Sequence, residues 1–250
     1  IVRLPTAPTI QTEFGTIVHA MFEEIVNRMA ANGEAAIESI EAEYRQQISW
    51  LDFAPEDVHR YSERFERICQ AFVPWLVEHV RGYRCITEAN MQCLTVGGTP
   101  LFGFLDLLLV DDAAKTVQIV DYKTGFGKEV PAGYHRQLKF YKLLVEASPE
   151  FCGYTVTSMG DYYVEPDKAT GELRPPFSTT ATADDIAELE QLIDAVWARI
   201  EHGAWDTSAF EQSNVYELAI EEQKSCRKKA DKTEVIQRAY ERWLVENSRM

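Results

Sequence analysis

The chain has 250 residues, of which 46% are hydrophobic, and its 25 basic and 40 acidic side chains give a formal net charge of −15. This much apolar sequence builds a sizeable core, so we expect a folded enzyme or binding module with one domain over residues 1–250. The acidic balance excludes a uniformly basic surface for nucleic acid, so any such contact has to be local. Basic residues do gather between Lys115 and Lys142 and again between Lys224 and Lys232, where a solvated helix face is the simpler interpretation.

The sequence contains no sign of membrane insertion or secretion. No run approaches the roughly 18 consecutive apolar residues of a membrane span, and the start IVRLPTAPTIQ lacks the basic-then-apolar order of a signal peptide. Five widely spaced cysteines without a C-x-x-C pair indicate free thiols in a reducing compartment, so we expect a cytoplasmic protein. Because the chain begins without Met on a Pro-containing segment, we expect a piece of a longer polypeptide or a processed product.

The first third of the chain is predicted to be helical. Residues 12–32 place apolar side chains at helical spacing, with Thr12 available as the N-cap. Residues 34–48 and 56–80 have the same amphipathic pattern. Residues 12–82 are therefore expected to form a helical N-terminal part.

After residue 82 the apolar pattern changes to short runs divided by turns, which is typical of strands. Three successive strands are predicted, at residues 85–96, 101–110 and 117–122, separated by turns at Gly97-Gly98 and Asp111-Asp112. A helix over 133–147 and a strand over 153–164 follow. Residues 83–165 are therefore expected to form the core that carries the chemistry.

The remaining part, residues 166–250, begins within a segment over 165–182 that is rich in Pro, Gly and Thr and is predicted to be a loop. Helices are predicted over 183–202 and 214–247. Helices on either side of a strand-rich centre predict an α/β fold: a central mixed sheet with flanking helices, and helical elaborations at both ends.

Ionisable residues stand in two of the predicted strands. Asp121 and Lys123 are two residues apart, so both side chains leave the same face of the sheet, although alone they are consistent with a surface ion pair. Asp106 lies in the apolar run GFLDLLL, on the strand expected to pair antiparallel with theirs. An ionised carboxylate there is costly unless it binds a cation or a charged partner. Two acids on neighbouring strands suit Mg²⁺, which prefers oxygen ligands; a turn aspartate bonded to backbone is the alternative for Asp106.

With GFLD ending at Asp106 and IVDYKTG holding Asp121 and Lys123, the sequence resembles the PD-(D/E)XK nuclease superfamily. The resemblance implies a restriction-endonuclease-like core in which the two aspartates and the backbone carbonyl of Tyr122 bind Mg²⁺ or Mn²⁺, and Lys123 orients the attacking water. Glu88, on the strand before Asp106, matches an acidic position frequent in the RecB-like branch and is counted with the catalytic residues.

Two further motifs point to that branch. Gly15-Thr16-Ile17-Val18-His19 matches its upstream G-x-x-x-H helix, and the resemblance makes His19 a metal ligand; alone, such a His is more often a satisfied core residue. Gln137 and Tyr141 match its Q-x-x-x-Y helix, share one helix face, and are implied to lie near the DNA backbone. Several relatives hold an iron–sulphur cluster through one Cys before the His helix and three near the C-terminus. Here no Cys precedes His19 and only Cys226 lies in the tail, so we expect no cluster.

The resemblance implies a Mg²⁺-dependent deoxyribonuclease, and within that class the exonuclease module of a bacterial ATP-dependent helicase-nuclease that processes double-strand breaks. No G-x-x-x-x-G-K-[ST] motor loop is present, so we expect the helicase domain elsewhere in the same longer chain. A stand-alone exonuclease of phage or CRISPR type is the alternative. A DNA-binding or scaffolding module with a decayed site, or a helix-rich interaction protein, represents another class. The intact Asp, Asp and Lys set argues against decay, and ionisable residues in apolar strands argue against a purely structural role.

Overall fold

The computed structural model of the protein describes residues 9–125 and 132–202. The chain divides into two compact units, residues 1–195 and 196–250. In the second unit, the described residues are those at the end of the last described helix. The helix predicted over 214–247, the basic run after Lys224 and Cys226 lie outside the described residues.

The first helix, α1, spans Ile10–Asn32 and begins two residues earlier than the sequence predicts. Its N-cap is Thr9, whose hydroxyl accepts a hydrogen bond from the backbone N–H of Thr12, while the Thr12 hydroxyl reaches back to the backbone of Thr9. The prediction of Thr12 as the cap is therefore wrong. The reason is that Ile10 is buried, which extends the apolar face of the helix toward the N-terminus. The helix ends at Gly33, which adopts a left-handed conformation with φ of 77°.

Two more helices, α2 (Ile37–Ser49) and α3 (Pro55–His79), pack with α1 around the first of two hydrophobic cores. Large buried side chains fill this core, among them Phe14, Phe22, Phe65 and Phe72. The sheet closes the core with Leu107, Leu109, Val120 and Tyr122. The three helices therefore pack against one face of the sheet, over its β2 and β3 residues.

The sheet contains five strands: β1 (Arg84–Leu94), β2 (Pro100–Asp111), β3 (Thr116–Lys123), β4 (Thr155–Tyr163) and β5 (Phe177–Ser178). They lie in the order β1-β2-β3-β4-β5, antiparallel except for the parallel pair β3 and β4. The predicted antiparallel pairing of β2 with β3 is confirmed. The two-residue β5 lies within the segment predicted to be a loop. The sequence does not predict it, because so short a strand leaves no periodic pattern.

A helix, α4 (Ala132–Ala147), and a short 3-10 turn at Pro149–Phe151 connect the parallel strands β3 and β4. Buried residues of α4 pack with the opposite face of the sheet in the second core. The mixed sheet with helices on both faces confirms the predicted fold class. None of the helices within residues 9–125 and 132–202 has the length and apolar composition of a membrane span.

The last described helix, α5 (Ala183–Glu201), is attached to the turn between β1 and β2. Thr182 caps its start, because its hydroxyl accepts from the backbone N–H of Asp185 and the Asp185 carboxylate accepts from Thr182. Further along, Asp194 accepts hydrogen bonds from the hydroxyls of Thr95 and Thr99, both at 2.5 Å. These contacts fix the end of the β1–β2 hairpin.

Candidate active site

Helix α1 brings His19 to the sheet through a close approach at Gly15. A Cβ atom on Gly15 would lie 3.3 Å from the hydroxyl oxygen of Thr124, which follows the end of β3. Glycine therefore lets the helix pass close to the strand end. His19, one turn later on the same helix face, places Nδ1 3.4 Å from Oδ1 of Asp106.

Asp106 lies at an irregularity in β2. Leu105 packs in the core on the α4 side, whereas Leu107 and Leu109 pack in the core on the α1 side. The strict alternation of faces is thus broken around Asp106. On the neighbouring strand, between the pairs Thr87↔Leu107 and Ala89↔Leu105, Glu88 has a φ of 44°. A left-handed conformation costs a residue with a Cβ roughly 1–2 kcal/mol, and such strain is concentrated at functional sites.

His19, Glu88 and Asp106 form the most metal-like cluster of the described residues. One ligand atom from each lies within 4.8 Å of the others. An imidazole nitrogen and two carboxylate oxygens are donors that Mg²⁺ and Mn²⁺ accept. These residues therefore fit a hard divalent cation, which would also offset the repulsion between the two acids.

A second group of charged side chains lies beside this cluster on β3 and β4. Lys123 Nζ is 2.5 Å from Oδ2 of Asp121 and 3.5 Å from Oδ1 of Asp161. Asp161 is fully buried and stands opposite Asp121 in the parallel pairing of the two strands. Both carboxylate oxygens of Asp161 lack a hydrogen-bond partner, so its main compensation is the Lys123 ammonium.

Helix α4 presents its polar residues to the same lysine. The Lys123 ammonium donates to Oε1 of Gln137 at 3.0 Å, and the Gln137 amide donates to the hydroxyl of Tyr141 at 2.8 Å. The ammonium also lies 4.4 Å from the centre of the Tyr134 ring. The spacing of Gln137 and Tyr141 thus joins them in one hydrogen-bonded chain that ends at Lys123.

The electrostatics of the site favour an added cation. Burial and the Asp106 carboxylate raise the pKa of Asp121 to about 6, although Lys123 opposes the rise. Burial and Asp106 also raise the pKa of Glu88. Burial lowers the pKa of His19, but the neighbouring carboxylates outweigh it and hold that pKa above its usual value. For Lys123 burial is likewise outweighed, here by Asp121, and its pKa is raised.

The structure places the predicted residues in two adjoining groups. The first group contains His19, Glu88 and Asp106, and the second contains Asp121, Lys123, Gln137 and Tyr141. The link between them is a 2.6 Å hydrogen bond from the backbone N–H of Tyr122 to Oδ2 of Asp106. The Tyr122 ring itself is buried, in edge contact with Phe22 and Phe72.

Two features of the site are not predicted from the sequence. Asp161 is an acid within a predicted apolar strand, the same signal that draws attention to Asp106. The other feature is an ion-pair brace: Arg64 and Arg67 of α3 both bind the buried Glu165, at 2.8 and 2.7 Å. Arg64 also donates to the backbone carbonyl of Thr124 at 2.7 Å, which anchors the chain directly after Lys123.

A mixed sheet with flanking helices, carrying acids and a lysine on its second and third strands, has the restriction-endonuclease-like α/β architecture. The chain belongs to the PD-(D/E)XK nuclease superfamily, whose family model matches residues 1–237. A remote similarity links it to the solved structure "Crystal structure of SSO0001", which is 15% identical, with a TM-score of 0.33 over 72% of this chain and 84% of that one. No curated protein matches the chain in sequence.

Proposed function

We propose that this domain is a metal-dependent DNA nuclease that hydrolyses phosphodiester bonds. The observation that carries the proposal is the ligand cluster of His19, Glu88 and Asp106, next to a lysine already paired with Asp121. Membership of a superfamily of nucleases supplies the reaction class. Without a further cation, the half-buried Asp106 and the buried Asp121 would be costly to keep ionised side by side.

Each residue then has a chemical part. His19, Glu88 and Asp106 would hold Mg²⁺ or Mn²⁺, and Asp121 and the backbone carbonyl of Tyr122 would be further ligands. When bound there, such an ion would supply a water of lowered pKa and a positive charge that polarises a phosphate oxygen. The Lys123 ammonium orients the attacking water and offsets negative charge that develops on the phosphate. Gln137 and Tyr141 hold Lys123 from α4 and contact the DNA backbone.

For the biological setting, we propose the exonuclease module of an ATP-dependent helicase-nuclease in double-strand break repair, with the helicase domain in the same longer chain. Support comes from the positions of the RecB-like motif residues, since His19 lies beside Asp106 and Gln137 beside Lys123. A stand-alone exonuclease of phage or CRISPR type would use the same residues. A decayed binding module is disfavoured because all the acids and the lysine are present and in contact.

The test is incubation of the purified chain with end-labelled linear and circular DNA, single- and double-stranded, in Mg²⁺, Mn²⁺ or EDTA. We expect metal-dependent cleavage of linear substrates, with circles resistant if the attack is exonucleolytic. An Asp106→Asn protein purified in parallel controls for contaminating nucleases. DNA binding without cleavage in either metal would instead support the decayed module.

A further inference from the structure

An open face of the β1–β2 hairpin continues directly from the candidate metal cluster. Phe102 and Phe104 alternate with residues that face α4: a Cβ on Gly103 would lie 2.7 Å from Leu144 Cδ1, and Leu105 is buried in the α4-side core. The two rings therefore point to the other face, and they are 71% and 54% exposed. Large aromatic side chains so open to solvent at adjacent positions of one face mark a binding surface.

Helix α1 covers only part of that face. The helix contacts β1 near Thr87, whose hydroxyl donates to Asn27 at 3.0 Å, and it places His19 against Asp106. Beyond this point the outward side chains of β1 are Asn90 and Gln92, which pair across the hairpin with Phe104 and Phe102 respectively. We call these four residues, two amides and two rings, the ribbon face.

We propose that the ribbon face stacks the bases of an unpaired DNA strand whose phosphate lies at the His19, Glu88 and Asp106 cluster. This inference rests on the proposed nuclease function and names its substrate class. Phe104 is two residues from Asp106 on the same strand, and Phe102 is two further, about 7 Å beyond. A strand cleaved at the cluster has its neighbouring bases over the rings, one ring for each base.

The chemistry of the ribbon face fits bases and not phosphates. Among the exposed residues of β1 and β2 between Glu88 and Phe104, all of them described, none is Lys or Arg. The amides of Asn90 and Gln92 each offer donors and an acceptor, which match the polar edges of a base beside a stacked ring. Bases of a duplex are stacked on each other, so the rings require an unpaired strand. The close packing of Gly103 on Leu144 gives the rings a rigid support.

The test measures binding of the full chain to fluorescein-labelled oligothymidylate in EDTA, where cleavage cannot proceed, by fluorescence anisotropy. Phe102→Ala and Phe104→Ala should each raise Kd about fivefold or more, since one stacked base is lost. Phe104→Tyr should bind like the parent, whereas Phe104→Leu, which keeps apolar area without the ring, should resemble Ala. Val96→Ala, in the exposed hairpin turn outside the ribbon face, is the matched control and should leave Kd unchanged.

Two further readouts separate stacking from other uses of the face. Because salt dependence comes from phosphate contacts, the slope of log Kd against log salt should be the same in parent and Ala variants. An abasic oligonucleotide of equal length should bind the parent no better than it binds Phe104→Ala.

The proposal is overturned if oligothymidylate binds the Ala variants as tightly as the parent, or if Leu substitutes fully for Phe. Concentration-dependent self-association that the Ala substitutions abolish, with DNA affinity unchanged, would also overturn it and assign the face to a second copy of the chain. Failure of the proposed function looks different, because the parent itself would then cleave no DNA in Mg²⁺ or Mn²⁺.

Discussion

The Asp106 carboxylate accepts a 2.6 Å hydrogen bond from the backbone N–H of Tyr122, the residue between Asp121 and Lys123. One oxygen of Asp106 is thus committed to β3, and the other faces His19 at 3.4 Å. The bond sets the spacing between Asp106, which we propose binds the metal, and Lys123, which we propose orients the attacking water. In the proposed site, Asp106 is therefore both a metal ligand and the bridge between two strands.

Asp106→Asn separates these two roles. The Asn side-chain oxygen can still accept from Tyr122, so the metal-free melting temperature should stay within about 4 °C of the parent. The lost ligand charge should weaken Mn²⁺ binding at least tenfold and abolish cleavage. Isothermal titration calorimetry with Mn²⁺ checks this, and Asp52→Asn, at an exposed site, serves as the control. Unchanged Mn²⁺ affinity would show that the ion binds elsewhere.

Lys123→Ala should abolish cleavage while Mn²⁺ affinity stays close to that of the parent, because the ammonium acts on water and phosphate without ligating the ion. Lys123→Arg should also fail, since a wide planar guanidinium cannot replace a compact ammonium held between Asp121 and Gln137. Single-turnover cleavage of labelled DNA measures the loss, with Lys115→Ala at a distant exposed site as control. Cleavage by Lys123→Ala within a few fold of the parent would contradict the assigned role.

The sequence predicted most helices and strands because their periodic patterns are long. Asp106 and the Asp121 and Lys123 pair could be singled out because charges are conspicuous in apolar strands. The sequence does not connect Asp161 with Lys123, because their proximity depends on the parallel pairing of β3 with β4. A whole helix separates these two strands in the sequence. The left-handed backbone of Glu88 is equally invisible, because glutamate gives no local signal for that conformation.

Asp161 should act on Lys123 as a positioning residue. Its buried carboxylate is 3.5 Å from the ammonium, and Lys123 stabilises its charge more than His135 does. Asp161→Asn keeps the volume and removes the charge, so we expect kcat to fall about tenfold or more while KM and Mn²⁺ affinity stay nearly constant. A purely structural role predicts instead a lower melting temperature with unchanged kcat, which thermal unfolding and steady-state kinetics together distinguish.

The ion-pair brace at Glu165 is expected to support the fold more than the chemistry. Its side chain is 3% exposed and binds both Arg64 and Arg67. Glu165→Gln leaves two guanidinium groups facing a neutral amide, and breaking a buried pair costs roughly 3–5 kcal/mol. Urea unfolding should therefore show a clearly lower midpoint, whereas Glu43→Gln on an exposed helix face should show almost none. Equal midpoints for the two variants would show that the brace does not stabilise the fold.

The stability of the metal-free protein should fall as the pH rises from about 4 to 7. Asp121 has a pKa raised to about 6 by burial and by Asp106, against a usual 3.8, so the folded state holds its proton more tightly than the unfolded chain does. The contribution of Asp121 to the free energy of unfolding is therefore greatest at low pH and is lost as the pH rises through about 6. The raised pKa of His19 acts in the same direction at higher pH, because its proton favours the folded state until it dissociates. Lys123 and Asp161, the other charged neighbours, are present in both the parent and Asp121→Asn, so the two proteins differ only at the Asp121 carboxylate.

Melting temperatures measured in EDTA across that range check the sign. The parent should lose stability toward pH 7, Asp121→Asn should lose less, and saturating Mn²⁺ should reverse the trend, because the ion competes with protons for the same oxygens and imidazole. A metal-free stability that rose steadily from pH 4 to 7, with Asp121→Asn following the parent, would mean that the Asp121 carboxylate is stabilised as an anion by Lys123 alone. In that case the site would have no need of a cation at Asp121.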